Sequence, residues 1–139
     1  MKGNKNIKLE HIGIATRGIE DSLRFWRDAL GLEVAATEVV EDQGVRVAML
    51  PAGDTRIELL ESVDESAPFA KSLEKRGVGI HHIAVCVADI HETLARLKQQ
   101  GARLIDEEPR TGADNCLIAF VHPSASGGVL VELVEHKST

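Results

Sequence analysis

"GVGIHHIAVCV" (77–87) sets two histidines side by side in a run that otherwise has the apolar character of a buried strand. Successive side chains on a strand point to opposite faces, so His81 and His82 meet different surroundings. The choice between them comes from an earlier stretch. "LEHIGIATRGIEDSLRFWRDALG" (9–31) matches "IHHIAVCVADIHETLARLKQQG" (80–101). Each begins with a histidine inside an alternating apolar run, continues into an amphipathic helix and ends at a glycine suited to a left-handed cap. His11 aligns with His82, and Glu10 with His81. Further on, "RIELLE" (56–61) matches "LVELVE" (130–135), which sets Glu58 against Glu132.

The repeat predicts a strand, a helix and three strands in each half. The first half spans about 7–15, 20–30, 33–41, 44–51 and 55–61; the second spans about 78–87, 89–100, 103–106, 115–122 and 128–135. "EDQG" (41–44) and "PAGDT" (51–55) have the composition of hairpin turns, and "PSASGG" (123–128) that of a longer loop. Asp89 followed by Glu92 has the spacing of a capping box. Between the halves, "DESAPFAKSLEKRG" (64–77) predicts a linker helix over about 66–76, with Ser66 as N-cap and Gly77 as terminator. Neither half can bury both faces of its small sheet alone. The expectation is a single α+β domain, 1–139, made of two tandem βαβββ modules at about 7–62 and 78–136 that pack as one pseudo-symmetric unit.

At 139 residues, 43% hydrophobic and 27% charged, the chain has ordinary globular composition and the length of one domain. A net charge of −6 argues against a surface for nucleic acid or membrane phosphates. The lack of tyrosine argues against a base-stacking platform. The two cysteines, Cys86 and Cys116, sit in apolar runs and read as reduced thiols of a cytoplasmic protein. "MKGNKNIKLEH" (1–11) has lysines without the apolar core of a signal peptide, and no stretch is long enough to span a bilayer.

The faces favour His11 and His82. His11 shares its face with Gly13 and Ala15, and His82 with Ala84 and Cys86; Ile12 and Ile14, and Ile83, Val85 and Val87, fill the opposite faces. Small neighbours leave a concavity beside each imidazole. A lone strand histidine is usually structural, but here two histidines and two glutamates recur at equivalent positions of a repeat. Burying them together costs several kcal/mol per ion unless something compensates. A divalent cation compensates all four, and two nitrogens with two carboxylate oxygens suit Zn, Co, Ni, Mn or Fe(II) with coordination positions left open. Glu61 and Glu135, the nearby spares, read as solvated strand ends. His91 and His136 read as surface residues, and His122 as either a substrate-orienting group or His-Pro turn chemistry. Trp26 and Phe25 read as core or interface, and Arg110, Lys98 and Arg103 as solvating charges.

"LEHIGIA" (9–15), "GDTRIELLE" (53–61), "GVGIHHIAV" (77–85), "DEEPRTGADN" (106–115) and "VHPSASGGVLVEL" (121–133) together resemble the vicinal oxygen chelate superfamily and, within it, the methylmalonyl-CoA epimerase family. That resemblance implies a curved, mixed sheet with flanking helices, and a divalent metal held by His11, Glu58, His82 and Glu132. It implies an acyl-CoA thioester substrate, inversion of methylmalonyl-CoA between its R and S forms through an enolate, and a homodimer. Glu132 becomes both ligand and base. Some members carry glutamine at the position of Glu58, and some place a second glutamate where this chain has Val47 in "QGVRVAML" (43–50). Glu41, Gln43 or a metal-bound water then remain as substitutes for the second base. Two alternatives share the fold. Glyoxalase I uses the same enediolate chemistry on a glutathione hemithioacetal, and drug-resistance proteins bind small molecules without a metal.

Overall fold

The computed structural model describes residues 6–136. Residues 1–5, part of the stretch read for a leader, lie outside it. Two compact units divide the described residues: His11–His81 forms one, and the described parts of 1–10 and 82–139 form the other.

In the first unit, β1 (Lys8–Ala15) runs parallel to β4 (Thr55–Ser62). β4 pairs antiparallel with β3 (Val45–Ala52), and β3 with β2 (Ala36–Val40). The two turns expected at 41–44 and 51–55 are where β2 meets β3 and β3 meets β4, with Gly44 and Gly53 in the left-handed region at φ 65° and 67°. Ile19, Leu23, Ala48, Leu50 and Leu59 form a core between helix and sheet, joined by Ile14 and Trp26. The first helix departs from its expected form. α1 is α-helical only over Ile19–Leu23, and Arg24–Ala29 winds as a π-helix, with Leu30 N–H donating to the Phe25 carbonyl five residues back. Apolar spacing alone does not reveal that change of pitch. The helix stops at Gly31, at φ 100°.

The linker helix, α2, is Pro68–Arg76, ended by Gly77 at φ 80°. Its N-cap is Ala67 and not Ser66, whose N–H and hydroxyl both donate to the Asp64 carboxylate at 2.8 and 2.7 Å. Proline at the first helical position supplies the φ that a helix start needs.

The second unit repeats the plan. β5 (Gly79–Cys86) runs parallel to β8 (Val131–Glu135), β8 pairs antiparallel with β7 (Leu117–Val121), and β7 with the two-residue β6 (Arg110–Thr111). The edge strand was expected at 103–106, where only a bridge between Leu104 and Val121 forms. Beyond that bridge the ladder does not continue: Ile105 and Asp106 N–H both donate to the Phe120 carbonyl, and the Asp106 carboxylate accepts from Phe120 N–H. α3 (Ile90–Gln99) carries the expected cap, with Asp89 accepting from Glu92 N–H at 3.0 Å. Ile90, Leu94, Val87, Ala119, Val121 and Leu133 pack on its side of the sheet, and Ala84, Cys116, Ile118, Phe120, Leu130 and Val134 cover the other. "PSAS" is a single helical turn, α4 (Pro123–Ser126), and not an open loop.

Glu61 and Glu135, expected to be solvated, have a shared structural task. Glu61 accepts from Ile19 N–H at 2.7 Å and pairs with Arg46; Glu135 accepts from Ile90 N–H at 2.8 Å. Each strand thus ends in a carboxylate on the first free N–H of its own unit's helix, where the helix dipole also favours negative charge. Glu135→Ala is expected to lower unfolding stability by about 1–2 kcal/mol, read from the denaturant midpoint at unchanged slope.

No described helix is long and apolar enough to cross a membrane. The overall class is the α+β arrangement of βαβββ modules with mixed sheets that the repeat implies.

Candidate functional site

The two units build the same device. In the first, β1 and β4 are parallel with Gly13 opposite Glu58, which places Glu58 beside the residue two positions after His11. His11 Nδ1 lies 3.3 Å from Glu58 Oε2. In the second, β5 and β8 are parallel with Ala84 opposite Glu132, again two positions after the histidine, and His82 Nε2 lies 3.0 Å from Glu132 Oε1. The parallel register turns the sequence repeat into a repeated imidazole–carboxylate pair. The residues opposite the two glutamates, Gly13 and Ala84, are both small.

These groups are deeply buried, with the Glu10 carboxylate, its side chain 10% exposed, next among those of the described residues that pair with a histidine. His11, Glu58, His82 and Glu132 are at 3–7% exposure. Arg56 donates from Nε to Glu58 Oε2 at 2.7 Å, which fixes the carboxylate and offsets its charge. No spacing rule finds Arg56, since residues two apart share a strand face in every strand. On the second unit, the Phe120 and His82 rings stand T-shaped at 87°, with centroids 5.7 Å apart, and Phe120 lies opposite Glu132 in the β7–β8 register. Met49 holds the equivalent place opposite Glu58. Arg110 lies over Phe120, 5.8 Å from its centroid, so it is a packed residue and not a merely solvating charge.

His81 has the other fate. It packs against α2, with Ser72 Oγ 3.3 Å from its Nε2, its ring 5.3 Å from that of Phe69, and Arg76 donating to its carbonyl. The adjacent histidines therefore do different work, as strand alternation requires. His122 caps α4, accepting from Ser124 N–H at 3.0 Å, which is the turn chemistry of a His-Pro step. Val47 is buried and Glu41 is exposed in the β2–β3 turn. Burial and the charge of Glu10 push the Cys86 thiol above the ordinary range. A raised pKa keeps sulfur protonated at higher pH, so alkylation of Cys86 at mildly alkaline pH is expected to be slower than in the unfolded chain. The deficit is about tenfold for each unit of displacement and closes as pH rises past the folded-state value.

Imidazole and carboxylate pairs of this kind are ligands for borderline divalent ions. Residues 10–120 match the model of the Glyoxalase/Bleomycin resistance protein/Dioxygenase superfamily. The chain is 41% identical to the ethylmalonyl-CoA/methylmalonyl-CoA epimerase of Cereibacter sphaeroides, over 91% of this chain and 96% of that protein. A solved methylmalonyl-CoA epimerase from Mycobacterium tuberculosis is 39% identical, with a TM-score of 0.89 over 99% of this chain and 94% of that one. A methylmalonyl-CoA epimerase solved with methylmalonyl-CoA and NH4+ is 38% identical, with a TM-score of 0.88 over 96% of this chain and 97% of that one. The chain belongs to the Glyoxalase/Bleomycin resistance protein/Dioxygenase superfamily and, within it, to the methylmalonyl-CoA epimerase family.

Proposed function

We propose that this chain interconverts (R)- and (S)-methylmalonyl-CoA, using His11, Glu58, His82 and Glu132 as the ligands of one divalent ion, of the Co, Zn, Mn, Ni or Fe(II) type. The observation that carries the reading is the burial of these two imidazole–carboxylate pairs at equivalent positions of the repeat, each residue at 3–7% exposure. Such groups are costly to bury without a compensating charge, and their donor set fits a borderline ion with open positions. A Lewis acid there supplies stabilisation of the negative charge that develops on a thioester oxygen as an enolate forms.

The chain's own residues do the rest. Glu132, held by His82, accepts the α-proton from one face of the substrate. Inversion needs the proton returned from the opposite face. With Val47 in the place of the family's second glutamate, Glu58 is the remaining buried carboxylate, and we assign it that task. Arg56 orients Glu58, and the Phe120 ring excludes water beside His82. On this reading the two modules act as a single domain, and the enzyme is a cytoplasmic homodimer. No observation favours the glyoxalase I alternative.

The reading is tested by starting from one epimer and following the approach to the racemate with metal-loaded protein. Conversion of methylmalonyl-CoA supports it. Inertness toward methylmalonyl-CoA, with turnover of a glutathione hemithioacetal or mere binding of a small molecule, contradicts it.

A further inference from the structure

A second group of metal-type donors stands apart in role from the four catalytic ligands. We propose that Asp114, Cys116 and His136 form a second divalent-metal site, selective for zinc-like ions, with Glu10 as the carboxylate that orients the histidine. One ligand atom from each of the three lies within 4.8 Å of the others.

The fold brings them together. β7 and β8 are antiparallel with Leu117 opposite Glu135, so the next pair outward is Cys116 and His136. Cys116 Sγ lies 3.1 Å from His136 Nδ1. Asp114 and Asn115 both sit in the left-handed region, at φ 58°, a conformation that Asp and Asn tolerate better than other side chains. This tight turn returns the chain to Cys116, whose carbonyl accepts from Gly112 N–H at 2.9 Å. The turn thus sets Asp114 beside the thiol and the imidazole.

The fourth residue makes the arrangement more than a neighbourly thiol. His136 Nε2 lies 2.9 Å from Glu10 Oε2, and the Glu10 side chain is only 10% exposed. An ionised carboxylate demands a proton on Nε2, which leaves the Nδ1 lone pair facing the sulfur. Carboxylate, histidine and metal in line is the usual outer-shell support of a protein-bound ion. The ion takes the place of the S–H proton. Zinc bonds of about 2.3 Å to sulfur and 2.0–2.1 Å to nitrogen separate the two donors by roughly 3.5 Å in a tetrahedron, a small widening from their present distance. Sulfur, nitrogen and one carboxylate oxygen select zinc-like ions over magnesium or calcium and leave a fourth position for solvent. Cys116 is buried, but Asp114 and His136 are exposed and give an ion its way in.

The test uses sulfur as the reporter, because the His11, Glu58, His82 and Glu132 set contains none. Metal-depleted full-length protein is titrated with Co2+ and watched for the intense near-ultraviolet thiolate-to-cobalt charge-transfer band. The wild type is expected to develop the band and lose it on addition of Zn2+. Cys116→Ser is expected to abolish it and Cys86→Ser to keep it. Glu10→Gln, which removes none of the three ligands Asp114, Cys116 and His136, is expected to weaken cobalt binding at this site by about 10–100-fold. Its shifted titration reads the site even if Cys116→Ser fails to fold. His82→Gln, which damages the proposed catalytic centre, leaves the band in place, so failure of either site is seen separately. Absence of the band at saturating Co2+, or a band undiminished in folded Cys116→Ser, overturns the proposal.

Discussion

Glu132→Gln is expected to slow the inversion of methylmalonyl-CoA by about 10³-fold or more while leaving most of the bound metal in place. The two effects separate because the amide keeps an oxygen that can ligate but has no basic carboxylate to take the α-proton. General-base contributions are typically 10²–10⁴-fold. Glu132 is buried against His82 in a well-formed pair, so bulk water is poorly placed to substitute. The comparison with Glu58→Gln is informative. If Glu132 and Glu58 serve opposite faces, Glu58→Gln still permits proton removal from the epimer presented to Glu132. Solvent exchange from that epimer then outlasts inversion, and isotope exchange and racemisation, measured in parallel, show the divergence. A Glu132→Gln enzyme with undiminished turnover removes Glu132 from the acid–base role.

Metal removal is expected to have an effect of similar size on rate and a further one on stability. Lewis-acid stabilisation of a developing enolate is worth several kcal/mol. Each 1.36 kcal/mol is tenfold in rate, so a chelated, dialysed protein is expected to lose about 10³-fold or more and to recover on addition of Co2+ or Zn2+. The same ion binds only the folded chain, so its removal also lowers the melting temperature. The four side chains proposed as its ligands, each residue no more than 7% exposed, then lose the positive charge of the ion. A calorimetric scan of depleted and reloaded protein measures that difference. Equal melting temperatures and equal rates in the two samples contradict the metal role.

The two imidazole–carboxylate pairs are legible because the chain states them twice. One histidine in an apolar strand says little, but His11 and His82 recur with Glu58 and Glu132, and parallel pairing gives each pair the same register. The choice of His82 over His81 was legible from strand alternation, since its face carries Ala84 while Val85 faces α3. What stayed hidden depends on contacts between residues far apart in the chain. Arg56 is visible as a partner of Glu58 only once the side chains are placed. Glu61 and Glu135 have the pattern of solvated ends because nothing in their local sequence marks the helix start that sits over each. The edge strand was misplaced because Asp106 spends its carboxylate on Phe120 N–H, an interaction without a local signature. Cys116 and His136 join through the last register step of a strand pair, and Glu10 reaches them from the opposite end of the sequence.

The most direct measurement is the uptake of deuterium at the α-carbon of methylmalonyl-CoA in D2O, with the same protein sample metal-depleted and metal-loaded. Label incorporation that requires the metal and falls in Glu132→Gln is the predicted result. A metal-loaded, folded protein that leaves the α-hydrogen untouched contradicts the account.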